Sequence, residues 1–382
     1  MAVVGPLEVE RVAHGGHAVA RHEGRVVFVR GALPGERVMV RITDDTREAF
    51  WRGEVTEVLV ASDDRVVPPC PVAGECGGCD LQHVSQAGQL RWKTDVLAEQ
   101  LLRLAGIEWS GTVESAGDLL GWRTRLDLRH SGTRLGLLAH RSHHLVDLPA
   151  QGCLIADPAL RDRHLLDDLA ARAEGDELRL AVGESGVSAV SDGRVIHGPA
   201  LVEHTVLGHR FRVHPAGFWQ VHPRAAELLT EVVLDGLDPR AGETALDLYC
   251  GVGLFAGALS DRGVRVTGVE INKHAVAQAR RNVPDARFIA APLDRALGRL
   301  PDHVDLVVLD PARQGAGRKV VGHVAGLGAR AIVHVGCDPA SFARDLALFA
   351  EQGWKPEWIR GFDLFGMTQH LEAVASLRPT EH

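Results

Sequence analysis

Residues 244–253 read Thr-Ala-Leu-Asp-Leu-Tyr-Cys-Gly-Val-Gly, and Leu254-Phe255 follow. The run starts as a short apolar strand, breaks at Gly251 and Gly253, and reopens in a helical pattern. A strand that ends in a glycine loop and returns as a helix opens a doubly wound α/β domain. The two glycines let the backbone approach a ligand closely. Glu270 closes the next apolar stretch, nineteen residues after Gly251, where a carboxylate can hold ribose hydroxyls.

Downstream of this loop, strand and helix patterns alternate. VRVTGVEI, ARFIAA, VDLVVLD and AIVHV read as strands, with KHAVAQARRN, LDRALGRL, RKVVGHVAGL and PASFARDLALFAEQG as the helices between or after them. Strands apolar throughout their length belong in a parallel sheet covered on both faces. The last two strands, WIRGFDLF and HLEAVASL, are too close in sequence for a helical crossover and should pair antiparallel. The glycine loop lacks the third glycine of a dinucleotide fingerprint, and class I methyltransferases end in such an antiparallel pair. Both points favour S-adenosylmethionine as the ligand of the loop.

Upstream, a helix from Pro223 to Leu237 leads into the domain. At the other end of the chain, Leu7–Val12, His17–Ala20, Val26–Val29, Arg37–Ile42 and Gly53–Leu59 read as five short strands between Gly, Pro and acidic turns. Five such strands suggest a small OB-like β-barrel, a common oligonucleotide-binding fold. Arg65–Pro69 reads as a linker. A helix is expected from Ser85, its N-cap, to Ala105, with Leu90, Leu97, Leu101 and Leu104 on one face and Gly106 as the stop. Residues 107–213 read as strand-rich. The expected organisation is therefore a barrel over 1–69, a β-rich central domain over 70–213 with one long helix, and the α/β domain over 214–382.

Ligands of doubly wound folds bind beyond the carboxyl ends of the strands. Asp310 ends the fourth strand, in Asp-Pro-Ala-Arg, and Cys337 ends the fifth, in Gly-Cys-Asp-Pro. Glu372 begins the last strand, after Thr368-Gln369-His370. Phe218-Trp219-Gln220 precedes the domain and would reach over its mouth. Each has a plainer reading. Cys337 would be a packed thiol, Asp310 a helix cap, Glu372 a solvated strand residue, and Phe218 and Trp219 core aromatics. Cys250 reads as structural.

Cys70, Cys76 and Cys79 form a C-x5-C-x2-C run, and Cys153 stands alone in Gln-Gly-Cys. The N-terminus has no basic, apolar signal pattern, and no apolar run approaches the length of a membrane span. A cytoplasmic chain without a membrane partner is the expectation, and there a tight cysteine run argues for a metal site over disulfides. Spacing alone leaves zinc and an iron–sulfur cluster comparable.

The formal net charge of −8 weighs against a nucleic-acid partner, because phosphate neutralisation favours basic surfaces. It leaves room for a local patch. Lys occurs only at 93, 273, 319 and 355, so the basic side chains are nearly all Arg, which suits phosphate forks and base stacking.

Taken together, ALPGERV, PPCPVAGECGGCDLQH, FWQVHP, LDLYCGVGLF, DPARQGAG, GCDP and TQHLE resemble, in order and spacing, the RNA uracil-5-methyltransferase family. The resemblance is to the branch with a TRAM barrel and a [4Fe–4S] cluster, and it spans nearly the whole chain. It implies S-adenosylmethionine as methyl donor and RNA as partner, 23S ribosomal RNA before tRNA, with the enzyme a monomer. It implies Cys337 as nucleophile toward uracil C6 and Glu372 as the base that removes the C5 proton. Asp310 would hydrogen-bond the uracil, and Phe218 would lie on the substrate side. Gln220, Tyr249, Glu270 and Asp310, with Gly251 and Gly253, would line the cofactor pocket. Cys70, Cys76, Cys79 and Cys153 would hold the cluster. A thiol that must add to a ring is expected in surroundings that favour the thiolate. Ala312, Gly336, Asp338 and Leu254 depart from residues common in the family: Pro in Asp-Pro-Pro-Arg, Ser and Asn in Ser-Cys-Asn-Pro, and an Asn in the glycine loop.

Overall fold

The computed structural model describes residues 2–380 except Thr133. Strands β1 (Val3–Ala13), β2 (His17–His22), β3 (Arg25–Arg30), β4 (Arg37–Asp44) and β5 (Phe50–Val60) close into a barrel in the order β1-β2-β3-β5-β4. The pleat is plain in β4, where Val38, Val40 and Ile42 point inward between exposed Arg37 and Arg41. Closure leaves no free sheet edge. The barrel expected from the sequence is present.

Helix α1 (Gln86–Ala105) starts at Ser85, whose hydroxyl accepts from the Gly88 N–H at 3.1 Å. Such a cap is worth about 1 kcal/mol. The helix stops at Gly106, in the left-handed conformation at φ 67°. Its buried face differs from the sequence expectation. Leu97 and Leu101 are buried, but Leu104 is 37% exposed, and Gln89, Trp92, Lys93 and Gln100 are buried instead. The reason is that α1 serves two bodies. Trp92 and Val96 complete the barrel core, while Leu97 and Leu101 enter the core of the C-terminal domain.

After α1, strand β6 (Val113–Ser115) leaves for the C-terminal sheet. Strands β7 (Arg125–Ser131), β8 (Arg134–Leu138), β9 (Leu145–Asp147), β10 (Glu177–Gly183), β11 (Gly186–Ser191) and β12 (Arg194–His197) form an antiparallel sheet, order β12-β11-β10-β7-β8-β9. Strands β13 (Val202–Val206) and β14 (His209–Val213) make a hairpin. Helix α2 (Arg163–Arg172) was not foreseen in this strand-rich region. Asp162 caps it, accepting from the Leu165 N–H at 2.8 Å, and Leu166, Leu169 and Ala170 pack in one core with Leu126 and Leu178 of the sheet.

The C-terminal domain runs α3 (Ala225–Leu237), β15 (Thr244–Leu248), α4 (Leu254–Ser260), β16 (Arg265–Glu270), α5 (Lys273–Asn282), β17 (Arg287–Ala290), α6 (Leu293–Ala296), β18 (Leu306–Leu309), α7 (Gly317–Ala325), β19 (Ala331–Gly336), α8 (Pro339–Glu351), β20 (Trp354–Asp363), β21 (Glu372–Pro379). The sheet order is β17-β16-β15-β18-β19-β21-β20-β6. The first five strands are parallel, and β21 is antiparallel to both neighbours. Alternate residues feed two cores: Leu306 and Val308 face α3, α4 and α5, while Val307 and Leu309 face α1, α7 and α8. Burial on both faces explains why β18 is wholly apolar. Among the described residues, no helix is long and apolar enough to cross a membrane.

Candidate active site

The strand order reverses between β15 and β18, so the loops after β15, β18 and β19 open on one crevice. In the first loop Tyr249, Gly251 and Gly253 all have positive φ, at 65°, 53° and 93°. The positive φ of Gly253 favours glycine there, and a Cβ would also crowd Val283 Cγ2 at 3.2 Å. Glu270 holds the loop from the neighbouring strand, accepting from the Gly251 N–H at 3.2 Å and the Asn272 N–H at 2.7 Å. Asp247 is the residue whose role the sequence reading missed. It is 1% exposed, its Oδ2 accepts from the Ala256 N–H at 2.9 Å, and its Oδ1 has no partner. Burial raises its pKa to about 7. One acid inside an apolar strand was the available signal. Leu254 packs in the core beside the loop, and so does Cys250.

Sheet register brings the three strand-end residues together. Gly336 of β19 stands opposite Ala373 of β21, so Cys337 and Glu372 continue that pairing by one step. Leu309 of β18 stands opposite His334, which puts Asp310 at the same edge. Glu372 is 4% exposed, a buried carboxylate rather than a solvated strand residue. Burial, and then the charge of Asp310, push its pKa well above the usual range. Burial raises Asp310 to about 6. Burial, then Glu372 and Asp310, push the Cys337 thiol up to about 12, against the opposing pull of Arg313. The expected thiolate-favouring surroundings are therefore not those of the ligand-free site. Desolvation and two carboxylates outweigh one guanidinium.

Asp345 on α8 fixes the loop that follows Asp310. It accepts from the Ala316 N–H at 2.7 Å and the Gly317 N–H at 2.9 Å. A Cβ on Gly315 would sit 2.7 Å from Asp345 Oδ2, in a residue already at φ 83°. Ala312 is exposed in this loop.

Of the Phe-Trp-Gln segment, Trp219 is core, stacked on His204 at 4.8 Å. Phe218 is 71% exposed, and Gln220 is half-buried beside it. Buried Arg125 holds the preceding turn, its Nη1 donating to the carbonyls of Pro215 at 2.9 Å and Gly217 at 2.6 Å. The sequence offered no sign of this contact.

Cys70, Cys76, Cys79 and Cys153 line one largely apolar cavity of about 120 Å³, with Leu126 and Leu137 among its walls. All four thiols are free. Burial pushes the Cys79 thiol up to about 12 and raises those of Cys76 and Cys153. Cys76 Sγ accepts from the Gly78 N–H at 3.4 Å. Among the described residues, no three His, Cys, Asp or Glu side chains stand in a group that could hold a metal ion. The metal site expected from the cysteine spacing is therefore not assembled among these thiols, although all four line the same cavity.

A strand-end thiol and carboxylates above a glycine loop, in a sheet that ends antiparallel, define an S-adenosylmethionine-dependent methyltransferase. The TRAM domain profile matches residues 4–61, and a methyltransferase domain profile matches residues 245–314. An uncharacterized RNA methyltransferase of Streptomyces avermitilis is 43% identical over 98% of each chain. A 23S rRNA (uracil(1939)-C(5))-methyltransferase of Shewanella is 30% identical, over 97% of this chain and 94% of that one. The fold also matches the crystal structure of a Pyrococcus abyssi tRNA (uracil-54, C5)-methyltransferase in complex with S-adenosyl-L-homocysteine. That match has a TM-score of 0.76 and 24% identity, and covers 97% of this chain and 100% of that one. The chain belongs to the RNA uracil-5-methyltransferase family and is an RNA methyltransferase.

Proposed function

We propose that this enzyme methylates C5 of one uridine in 23S ribosomal RNA through a covalent adduct on Cys337. The carrying observation is the antiparallel return of β21, which sets Glu372 beside Cys337 at the sheet edge with Asp310 next to them. Uracil C5 is a weak nucleophile. The Cys337 sulfur adds to C6, and the electron pair passes to C5, which becomes enolate-like. S-adenosylmethionine supplies the electrophilic methyl group that C5 then takes. Glu372 accepts the C5 proton, the C5–C6 double bond re-forms, and the sulfur leaves. Asp310 orients the ring by a hydrogen bond. Tyr249, Gln220, Gly251, Gly253 and Glu270 hold the methyl donor, and exposed Phe218 meets the RNA.

The resting site is a thiol next to a neutral carboxyl, because both protons are held by burial. Uracil entry must therefore trigger loss of both protons to solvent: Cys337 becomes the thiolate, favoured by Arg313, and Glu372 becomes the carboxylate that can then take the C5 proton. The base must be unstacked to expose C6, so a loop or flipped nucleotide is the target.

We also propose a [4Fe–4S] cluster held by Cys70, Cys76, Cys79 and Cys153; what favours it is the family resemblance and the position of all four thiols on one cavity, and four thiolates suit zinc as well. The cluster is structural in this reading, since methyl transfer moves no net electrons.

The test is to replace Glu372 with Gln and incubate the protein with S-adenosylmethionine and unmodified total RNA. The outcome expected is a denaturant-resistant protein–RNA adduct that disappears when Cys337 is also Ala. Sequencing the trapped RNA names the uridine, and a tRNA sequence there would replace 23S RNA as the substrate. No adduct from a protein that still binds S-adenosylmethionine would favour a non-catalytic RNA-binding or assembly factor.

A further inference from the structure

The turn between β1 and β2 reaches the methyltransferase site. Gly15 and Gly16, at φ 95° and 76°, reverse the chain and push His14 outward from the barrel. Its Nε2 lies 2.9 Å from Oδ2 of Asp338, the residue that follows Cys337. The other oxygen of Asp338 accepts from the Ser341 N–H at 2.9 Å and caps α8. Asp338 thus has both oxygens engaged, one by the helix that carries it and one by a domain more than 300 residues away in sequence. The turn itself is wedged in place. A Cβ on Gly16 would lie 3.3 Å from Cβ of both Asp80 and Gln369, so the cysteine segment and the loop before Glu372 close on it.

We infer that His14 is a positioning residue for methyl transfer: the barrel turn clamps Asp338 and thereby sets the Cys337 sulfur against its target. The inference rests on Cys337 being the nucleophile. It gives the barrel a second task besides contact with RNA, because part of the catalytic geometry is supplied by the N-terminal domain. Cys337 and Asp338 are the two residues between the end of β19 and the start of α8, and without His14 the carboxylate at 338 would leave that link held only by the helix cap. Misplacement of a reacting atom by about 1 Å costs up to about a hundredfold in rate.

The experiment uses the full chain with its cysteine site intact, comparing wild type, His14→Ala, His14→Gln and Asp338→Ala, with the His14→Ala/Asp338→Ala double. Methyl transfer to RNA is read as kcat and KM, and Cys337 alkylation by iodoacetamide is read by peptide mapping without RNA. His14→Ala should lower kcat about tenfold or more with KM for S-adenosylmethionine unchanged. It should also change the Cys337 alkylation rate several-fold while leaving Cys250 as in wild type. His14→Gln, which keeps a donor at similar reach, should restore both. The loss in the double variant should equal that of Asp338→Ala alone. A kcat and alkylation rate equal to wild type in His14→Ala would overturn the inference, as would an effect confined to KM for RNA, which would make His14 an RNA contact. If wild type methylates no RNA yet His14→Ala still alters Cys337 alkylation, the proposed reaction fails and the positioning role stands.

Discussion

Lys93 and Asp363 form an ion pair closed to solvent, Nζ to Oδ1 at 2.6 Å, with side chains 0% and 5% exposed. The pair joins α1, which follows the cysteine run, to the end of β20. From there the chain passes through Phe365, Met367 and Thr368 to Glu372. Lys93 also donates to the Phe365 carbonyl at 3.1 Å, and the Asp80 and Leu81 N–H groups both donate to the Met367 carbonyl. Met367 packs with Cys79 and Cys153 at its back, at φ 67°. The cysteine segment and Glu372 are thus connected by one loop.

Breaking that pair from one side strands a buried charge. Lys93→Met should cost about 3–5 kcal/mol, read as a lower urea midpoint. Lys93→Met combined with Asp363→Asn should recover much of that loss, because neither charge then remains.

Asp247 ties stability to pH. Its folded pKa of about 7 lies above its unfolded value, so it favours the folded state most below about pH 4. That contribution is lost as pH rises to about 7. Asp247→Asn keeps an acceptor for the Ala256 N–H and carries no charge. Its stability relative to wild type should rise from pH 4 to about pH 7 and then level off, as measured by urea unfolding at each pH.

Cys337, with its thiol near 12, should react with iodoacetamide at a rate that climbs with pH across the whole range the fold tolerates. Glu372→Gln replaces a carboxyl that is neutral at rest, so it should leave alkylation near wild type at neutral pH and speed it only at alkaline pH, where Glu372 ionises. Arg313→Ala removes the opposing cation and should slow it. A plateau near neutral pH would mean an already ionised thiol.

Gly315→Ala should destabilise the loop after Asp310. The residue is at φ 83° and its Cβ would press on the Asp345 carboxylate. About 1–3 kcal/mol should be lost, seen as a lower melting temperature, with weaker binding of S-adenosylmethionine by calorimetry.

The purified protein should hold about four iron atoms per chain, with a matching amount of acid-labile sulfide. Cys79→Ser should abolish both. One zinc and no sulfide would instead place a single ion at the four thiols.

Much of the fold was readable because it depends on local pattern. TALDLYCGVG declares a strand, a glycine loop and a helix through short-range sterics alone, and the short gap before β21 forces an antiparallel return. Asp310, Cys337 and Glu372 were legible as strand ends for the same reason. Helix α2 was not, since its ten residues carry only three buried positions, too few to outweigh the strand signals around it. The face of α1 was misread at Leu104, because periodicity shows that a helix has an apolar side but not how many neighbours it must satisfy.

By itself, then, the sequence determined the barrel, the doubly wound sheet, the glycine loop and the identity of the residues at its rim, all consequences of backbone geometry and of which side chains avoid water. Only the tertiary structure decided that Cys337 rests as a thiol, that Asp338 is shared with His14, and that the cysteine segment grips the loop before Glu372. Those are through-space effects among residues tens to hundreds of positions apart. Desolvation and contact at such separations exist only once the chain has folded.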